Sequence, residues 1–148
     1  MVDESTIGVR LSEFTVEIDP ARAREFARVI GEDDPVYLDP AAARAAGHPD
    51  LLVTPTFLFG LELEHGSVLE FFASRGAELS ATRHVEQGFT YRRPVVVGDR
   101  LTFTPEITDF YRRRGNAFVV QETGVADSTG ESVASLRQVI AFMGGDRG

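Results

Sequence analysis

The sequence predicts an α+β fold, and three observations support this prediction. Helix start signals are concentrated before Gly76. After Gly76, the chain is rich in β-branched and aromatic residues that alternate with polar ones, as strands do. No repeat or linker divides the 148 residues, so we expect one domain. Helices followed by consecutive strands are typical of an antiparallel sheet with its helices on one face or at one end.

The first helix is predicted to follow a short strand near the N-terminus. Asp19-Pro20 has the usual order of a helix cap and a first helical residue. The apolar residues Phe26, Val29 and Ile30 are predicted to share one buried face of this helix. Gly31 is expected to end it.

Two further helices have recognisable start signals. Asp39-Pro40 is expected to begin a short alanine-rich helix that ends at Gly47. Asp34-Pro35 is either a third start of this kind or a tight turn, with Asp34 as the cap. Ser67 and Glu70 match the capping box of a later helix.

The most apolar helix is predicted in the middle of the chain. Thr54-Pro55 fits a cap and first turn, and Thr56–Glu64 is apolar nearly all round at its start, as expected of a buried helix. We interpret Glu62 and Glu64 as the solvent-facing side of this helix. His65-Gly66 is expected to break it.

The second half of the chain is predicted to form consecutive antiparallel strands. Alternation places Leu101, Phe103 and Ile107 on one side of their strand. A buried helix inside a curled antiparallel sheet is the hot-dog architecture, which is one candidate among several α+β folds allowed by the pattern. Turns are predicted at Gly98-Asp99, Arg112–Asn116 and Asp127–Gly130.

Composition and charge argue against several classes of function. A net charge of −8 disfavours nonspecific binding to nucleic acid. We predict no membrane helix, because no run of 18 apolar residues is present, and no secretory signal, so we expect a cytoplasmic protein. The chain has no cysteine, and His48, His65 and His84 are not spaced as metal ligands, so no metal is predicted. Residues 1–8 and 144–148 are expected to be flexible.

Three segments have a distinctive pattern: GEDDPVYLDPAAARAAG (Gly31–Gly47), LLVTPTF (Leu51–Phe57) and FTYRRPVVVGDRL (Phe89–Leu101). Together they resemble the MaoC-like hydratase/dehydratase group of hot-dog proteins. They are most similar to its FAS1-like dehydratase branch, which includes the non-catalytic subunits of mycobacterial (3R)-hydroxyacyl-ACP dehydratases. The resemblance extends over most of the chain, from about Phe14 to Phe142. It implies one hot-dog domain that takes part in hydration or dehydration of acyl thioesters.

The same resemblance identifies two candidate catalytic positions. In catalytic members of the group, the loop reads Gly-Asp-x-Asn-Pro-(Leu/Ile)-His, and its Asp and His activate one water molecule. Here the resemblance implies that Glu32 stands at the Asp position and Tyr37 at the His position. A tyrosine with an ordinary pKa of about 10 is a poor base at pH 7 but can donate a hydrogen bond. We predict that Glu32 positions water and that Tyr37 donates to the thioester or hydroxyl.

The segment before the central helix also departs from the catalytic pattern. Relatives have a His-Gly pair there, and the glycine N–H faces the thioester oxygen. The resemblance, counted without gaps from Pro35, implies that this pair falls on Thr54-Pro55. Proline has no N–H, and losing one such donor costs on the order of a hundredfold in rate. Thr54, Thr56 and Phe57 are predicted to bind the substrate.

These departures imply a chain that depends on a partner. In the FAS1-like branch, tyrosine is common at the position of Tyr37, and a sister MaoC-like chain with intact Asp and His supplies the catalysis. The resemblance therefore favours a heterodimer over a self-sufficient homodimer, and hot-dog sheets commonly join edge to edge, which covers their open edges. The substrate would be an acyl-CoA or acyl-ACP, and no further cofactor is predicted.

Other functions stay open at this point. Hot-dog acyl-CoA thioesterases often use an acid on the central helix, and Glu62 or Glu64 would fit that role. A non-enzymatic acyl-thioester-binding subunit is a third candidate. His84 could replace the missing base, although a lone histidine at a strand edge is more often a surface or packing residue. Tyr37 could instead be a packing residue whose hydroxyl bonds to the backbone.

Overall fold

One antiparallel sheet and four helices form the protein over residues 2–144, which the computed structural model describes. This confirms the predicted α+β class. The strands are β1 (Phe14–Glu17), β2 (Thr82–Tyr91), β3 (Arg100–Arg113), β4 (Asn116–Ala126) and β5 (Ser132–Phe142). The helices are α1 (Pro20–Val29), α2 (Pro40–Ala45), α3 (Phe57–His65) and α4 (Val68–Ser74), with short 3₁₀ helices at Glu4–Thr6, Pro35–Tyr37 and Leu79–Ala81. None of the helices in this part of the chain is both long and apolar enough to span a membrane.

The sheet has the strand order β1-β3-β4-β5-β2, with β1 and β2 at its edges. All neighbouring strands are antiparallel. Leu101, Phe103 and Ile107 are fully buried on the same face, as their alternation predicted. A bulge between Ile107 and Asp109 then shifts the register of β3 against β4, so that Phe110 is the next buried apolar residue of the strand.

The helix α3 lies against the buried face of the sheet, which confirms the hot-dog arrangement. Its side chains Phe57, Leu58 and Leu61 are buried in one hydrophobic cluster with residues of the sheet. Burial of each large apolar side chain contributes about 1.5–3 kcal/mol. The sheet residues of this cluster include Leu101, Phe103, Val125, Val133 and Leu136. A second cluster, centred on Phe72 of α4, covers the other half of the sheet with Ile107, Val119, Ile140 and Phe142.

The helix α1 begins as predicted but buries a different face. Asp19 caps it, because its carboxylate accepts a hydrogen bond from the Arg22 backbone N–H at 2.8 Å. The buried residues are Ala23 and Ala27, which are one helical turn apart. The predicted burial of Val29 and Ile30 is wrong, since they are 73% and 50% exposed. Val29 lies two residues beyond Ala27, on the opposite side of the helix, and Ile30 is the residue that caps its end.

Two other helix starts differ from the prediction. α3 begins at Phe57 rather than at Thr54-Pro55, because the chain before it is extended: Val53 N–H donates to the Val95 carbonyl at 2.9 Å. Ser67 makes no side-chain cap bond to α4, so the predicted capping box is not formed. Its hydroxyl instead accepts from the Ser12 backbone N–H at 3.3 Å.

The N-terminal segment lies against β3. Gly8 N–H donates to the Ile107 carbonyl at 2.7 Å, and Thr6 is buried. Of the two segments for which we expect flexibility, Met1 and residues 145–148 fall outside the part of the chain described here.

Candidate functional site

The loop after α1 is held by its own acidic side chains. Glu32 Oε1 accepts hydrogen bonds from the backbone N–H groups of Asp33 and Asp34, each at 3.0 Å. Asp34 accepts from Val36 N–H at 3.1 Å, which confirms its predicted role as a cap. One oxygen of the Glu32 carboxylate is therefore committed to shaping the loop.

An extended segment, residues 51–53, lies between this loop and residues 95–97, which precede β3, and it forms backbone hydrogen bonds with both. Leu52 N–H donates to the Val36 carbonyl at 3.0 Å. On its other side, Leu52 forms an isolated antiparallel bridge with Val96. Through these contacts, the loop that contains Tyr37 is brought next to residues 91–95.

An open cavity of about 360 Å³ lies where these segments meet. Its walls combine apolar residues with two tyrosines and two arginines. The lining consists of Tyr37, Leu52, Val53, Pro55, Tyr91, Arg92, Arg93, Pro94 and Val95. Among the residues that the structure describes, this lining includes neither a histidine nor a carboxylate.

Tyr37 is half-buried at this cavity, and its pKa is raised. Partial burial is the main cause, and the nearby carboxylates of Glu32 and Asp34 add to it. The phenol is therefore protonated at neutral pH. Within residues 2–144, its hydroxyl makes no hydrogen bond to the protein, so the alternative with a backbone partner is not observed. The hydroxyl is free to donate to a molecule in the cavity.

Tyr91 and Pro55 form a second polar contact at the cavity. The Tyr91 hydroxyl donates to the Pro55 carbonyl, and burial raises the pKa of this tyrosine as well. Pro55 lies two residues before α3, which begins at Phe57, and has no N–H to offer. At this position the cavity thus has a carbonyl acceptor that is already occupied and no backbone N–H donor.

The two arginines of the cavity have different surroundings. The guanidinium of Arg93 pairs with Asp99 at 2.8 Å and with Asp127 at 3.4 Å. The hydrogen bonds that Arg93 donates to the Asp99 carboxylate are the main reason why the pKa of Arg93 is raised. Asp99 also accepts from Val96 N–H at 3.0 Å, so this network stabilises the turn before β3. Arg92 is exposed, and its side chain has no hydrogen-bond or ion-pair partner among the described residues.

The other predicted site residues lie close by in the chain but outside this lining. Thr54 is buried, and its hydroxyl has no hydrogen-bond partner among residues 2–144. Thr56 is exposed at the start of α3. Phe57 is buried, with its ring edge-on to Phe26 at 5.4 Å. The roles of these residues and of Glu32 in substrate binding or catalysis stay predictions.

Glu62 was predicted to face solvent, and this prediction is wrong. Its side chain is buried, with 3% of the residue exposed. Oε1 accepts a hydrogen bond from Gln121 Nε2 at 2.7 Å and another from the Thr123 hydroxyl, both on β4. Burial raises the pKa of Glu62, although the hydrogen bonds from Thr123 and Gln121 and the charge of His84 act in the opposite direction.

A sequence signal for this cluster exists but is weak. Gln121 and Thr123 interrupt the apolar side of β4, and Gln138 lies opposite Gln121 on β5. Glu64, by contrast, is exposed as predicted and pairs with Arg22.

Two other features are less suited to be the site. His84 is exposed on β2, where its ring stacks on Phe59 at 4.6 Å, and it does not line the Tyr37 cavity. A larger open cavity of about 630 Å³ is lined largely by threonine, glutamate and glycine residues of the sheet and includes no residue of the loop 31–37. We therefore assign the candidate site to the cavity beside Tyr37.

Comparison with known proteins finds relatives along almost the whole chain. The family described as "FAS1-like, dehydratase domain region" matches residues 5–136. A UPF0336 protein from Clavibacter michiganensis is 41% identical over 125 residues, which are 84% of either chain. These matches include both the loop around Tyr37 and the strand that leads to Arg92.

Solved structures share the fold. A chain of the C-terminally truncated HadBC complex, a 3R-hydroxyacyl-ACP dehydratase from Mycobacterium tuberculosis, superposes with a TM-score of 0.80 at 26% identity, covering 92% of this chain and 96% of that one. A MaoC-like dehydratase superposes with a TM-score of 0.82 at 23% identity, covering 94% of this chain and 42% of the longer one. Each of the two similarities extends over more than nine tenths of this chain.

Proposed function

This chain belongs to the family of FAS1-like dehydratase domain regions, and from that premise we propose that it holds the substrate in a (3R)-hydroxyacyl-thioester dehydratase, or enoyl-thioester hydratase. The thioester binds in the cavity beside Tyr37. A partner chain of MaoC-like type, with an intact Asp and His, performs the proton transfers. The general class is that of the hot-dog dehydratases and hydratases to which the fold is similar.

The observation on which the proposal depends is the composition of the cavity. Dehydration removes a proton from C2 of the acyl group and expels the C3 hydroxyl as water, and hydration is the reverse. Both directions need a base whose pKa is near neutral. The described lining contains no imidazole or carboxylate, and the pKa of Tyr37 is raised further from neutrality. Tyr37 is suited to donate a hydrogen bond to the substrate, and not to remove its proton.

The neighbourhood of Pro55 supports the same conclusion. Enolate charge that develops on the thioester oxygen must be met by hydrogen-bond donors already in position. Pro55 provides no N–H, and its carbonyl is already paired with Tyr91. The donor is therefore expected to come from the partner chain.

The free edge of the sheet supports a partner. β2 is an edge strand of ten residues that pairs with β5 on one side and, within residues 2–144, with no strand on the other. Two apolar side chains are exposed on β2 and on the helix beside it. Val85 on β2 is 51% exposed, and Leu63 is 56% exposed on α3, whose Phe59 ring stacks on His84 of β2. Long unpaired edges with apolar neighbours readily add another strand. We propose that a second hot-dog chain pairs here, preferably a catalytic one.

Reconstitution tests this function. The purified chain is expected to hydrate crotonyl-CoA slowly, and addition of a MaoC-like chain with intact Asp and His is expected to raise the rate by orders of magnitude. Within the active pair, Tyr37→Phe is expected to raise the KM several-fold, since a hydrogen bond is worth about 1 kcal/mol. Rapid hydration by the chain alone, unaffected by Tyr37→Phe, would contradict the proposal. A pair that binds acyl-CoA without turnover would indicate the non-enzymatic alternative.

Restoration of the missing groups gives a second test. Tyr37→His alone is expected to leave the single chain nearly inactive, because Pro55 still supplies no donor. Tyr37→His combined with Pro55→Gly is expected to be more active than either single variant, since both a base and an N–H are then present. The hydration rates of the three variants test this expectation. Circular dichroism checks that each variant is folded. Equal activity of the single and double variants would show that the donor is not needed at position 55.

The thioesterase alternative is less well supported. Glu62 does not line the Tyr37 cavity, and its Oε1 is occupied by Gln121 and Thr123. Glu64 is exposed and paired with Arg22. Hydrolysis of an acyl-CoA by the chain alone, lost in Glu62→Gln or Glu64→Gln, would restore this candidate.

A further inference from the structure

The cavity beside Tyr37 has one positive charge without an ion-pair partner in the part of the chain that the structure describes. Of its two arginines, Arg93 is paired with Asp99 and Asp127. Arg92 has no such side-chain partner among the described residues, although the chain has a net charge of −8 and acidic side chains are abundant. An exposed, unpaired guanidinium in the lining of an open cavity is suited to bind an anion.

The remaining lining indicates what kind of anion would fit. Leu52, Val53, Pro94 and Val95 form apolar walls, and the Tyr37 hydroxyl is free to donate. A ligand that matches this lining has a polar group for Tyr37, a slender and partly apolar body, and an anionic end. Guanidinium groups bind phosphate oxygens with two parallel hydrogen bonds, and such bonds to charged groups are stronger than neutral ones.

We propose that Arg92 binds the phosphate at the 4′ end of the pantetheine arm that carries the acyl group. This inference rests on the proposed function, because it assumes a pantetheine thioester in the cavity. The same phosphate occurs in CoA and in the prosthetic group of ACP. Tyr37 then contacts the thioester end of the arm, and Arg92 contacts its phosphate end.

Binding measurements with three ligands test the role of Arg92. Crotonyl-pantetheine, crotonyl-4′-phosphopantetheine and crotonyl-CoA differ in their phosphates but share the reactive end. The full chain, alone and with its MaoC-like partner, is titrated with each by calorimetry. A hydrogen-bonded pair with a charged group is worth about 1.5–3 kcal/mol, so wild type is expected to bind the two phosphorylated ligands about 10- to 100-fold more tightly than crotonyl-pantetheine.

Variants of Arg92 test whether this residue causes the preference for the phosphorylated ligands. Arg92→Ala is expected to weaken binding of the phosphorylated ligands about tenfold or more and to leave crotonyl-pantetheine unchanged. Arg92→Lys is expected to keep part of the affinity, because the charge remains. Arg113→Ala removes an exposed arginine at the far end of β3, outside the cavity lining, and is expected to change none of the three affinities.

The outcomes separate the two proposals. If no ligand binds to the chain or to the complex, the proposed function is wrong. If all three bind equally and Arg92→Ala has no effect, the function stands and the role of Arg92 is wrong. A loss of crotonyl-pantetheine binding in Arg92→Ala would also overturn the proposed role of Arg92, since the loss of affinity would then not depend on the phosphate. Crotonyl-ACP, titrated in parallel, identifies which carrier loses affinity in Arg92→Ala.

Discussion

Glu62 is a carboxylic acid on the buried side of α3, and its two oxygens have different surroundings. Oε1 accepts two hydrogen bonds from β4, whereas Oε2 is buried without a partner among the described residues. The Gln121 side-chain oxygen is also unpartnered there. A neutral side chain that can both accept and donate would satisfy this cluster better than a carboxylate does.

The raised pKa of Glu62 predicts how stability depends on pH. The folded chain holds the proton more tightly than the unfolded chain, whose carboxyl has its ordinary pKa of 4.5. The contribution of Glu62 is therefore most favourable below about pH 4.5 and declines as the pH rises through the folded-state pKa. Glu62→Gln cannot ionise, so the difference in unfolding free energy between this variant and wild type should shift in favour of the variant from pH 5 to pH 8.

Urea unfolding at both pH values measures this difference. At pH 8, Glu62→Gln is expected to be at least as stable as wild type. Glu62→Ala is the control, and it is expected to lose about 1–3 kcal/mol, because the donors on Gln121 and Thr123 are left without a partner. Equal destabilisation by both substitutions at pH 8 would contradict a raised pKa.

At the scale of elements, α3 lies against the sheet and ends in a glycine cap. Two glycines, one within α3 and one at its end, differ in the space available for a Cβ atom. Gly60 is exposed in the interior of the helix, and a Cβ there would contact nothing within 4 Å. Gly66 caps the helix, and a Cβ there would overlap the Glu62 carbonyl oxygen. Gly60→Ala is expected to stabilise the chain by about 0.5–1 kcal/mol, because glycine is a poor helix former.

Gly66→Ala is the same substitution at the end of the helix, and its effect on stability is expected to have the opposite sign. It is expected to destabilise the chain by about 1–3 kcal/mol, because the backbone at the end of α3 must move. Thermal unfolding of the two variants, followed by circular dichroism, gives both signs in one experiment. If Gly66→Ala were as stable as wild type, Gly66 would not lie as close to the Glu62 carbonyl oxygen as described here.

At the scale of the whole molecule, the exposed edge strand β2 predicts assembly. Leu63→Lys combined with Val85→Lys adds two charges beside this edge and is expected to shift a dimer towards monomer by at least tenfold in dissociation constant, because charges there oppose strand addition. Sedimentation velocity with and without the partner chain measures this shift.

A control distinguishes assembly from a general effect of charge. Val29→Lys adds a charge at an exposed apolar residue on α1, outside both β2 and α3. It is expected to leave assembly unchanged. If the double variant assembled like wild type, another surface would form the dimer.

Much of the fold could be predicted because the signals for it are local. Asp19-Pro20, Asp34-Pro35 and Asp39-Pro40 each begin a helical segment, since a cap needs only its own carboxylate and the next few N–H groups. The alternation of Leu101, Phe103 and Ile107 identifies the buried face of β3, because successive side chains of a strand point to opposite sides. The loop 31–37 could be proposed as a candidate site because its sequence resembles the catalytic loop of MaoC-like proteins.

The tertiary structure decided which face of each helix or strand is buried. A local sequence pattern does not show which surface will pack against that face. A helix can bury either the stripe with Ala23 and Ala27 or the one with Val29, and the surface that packs against it makes the choice. Glu62 is buried because Gln121 and Thr123, about sixty residues away in sequence, offer it hydrogen bonds. Arg92 and Arg93 are adjacent in sequence, yet Arg93 pairs with Asp99 and Asp127, whereas the side chain of Arg92 has no partner among the described residues. Sequence periodicity specifies which side chains share a face, whereas burial and pairing depend on surfaces that meet only when the chain has folded.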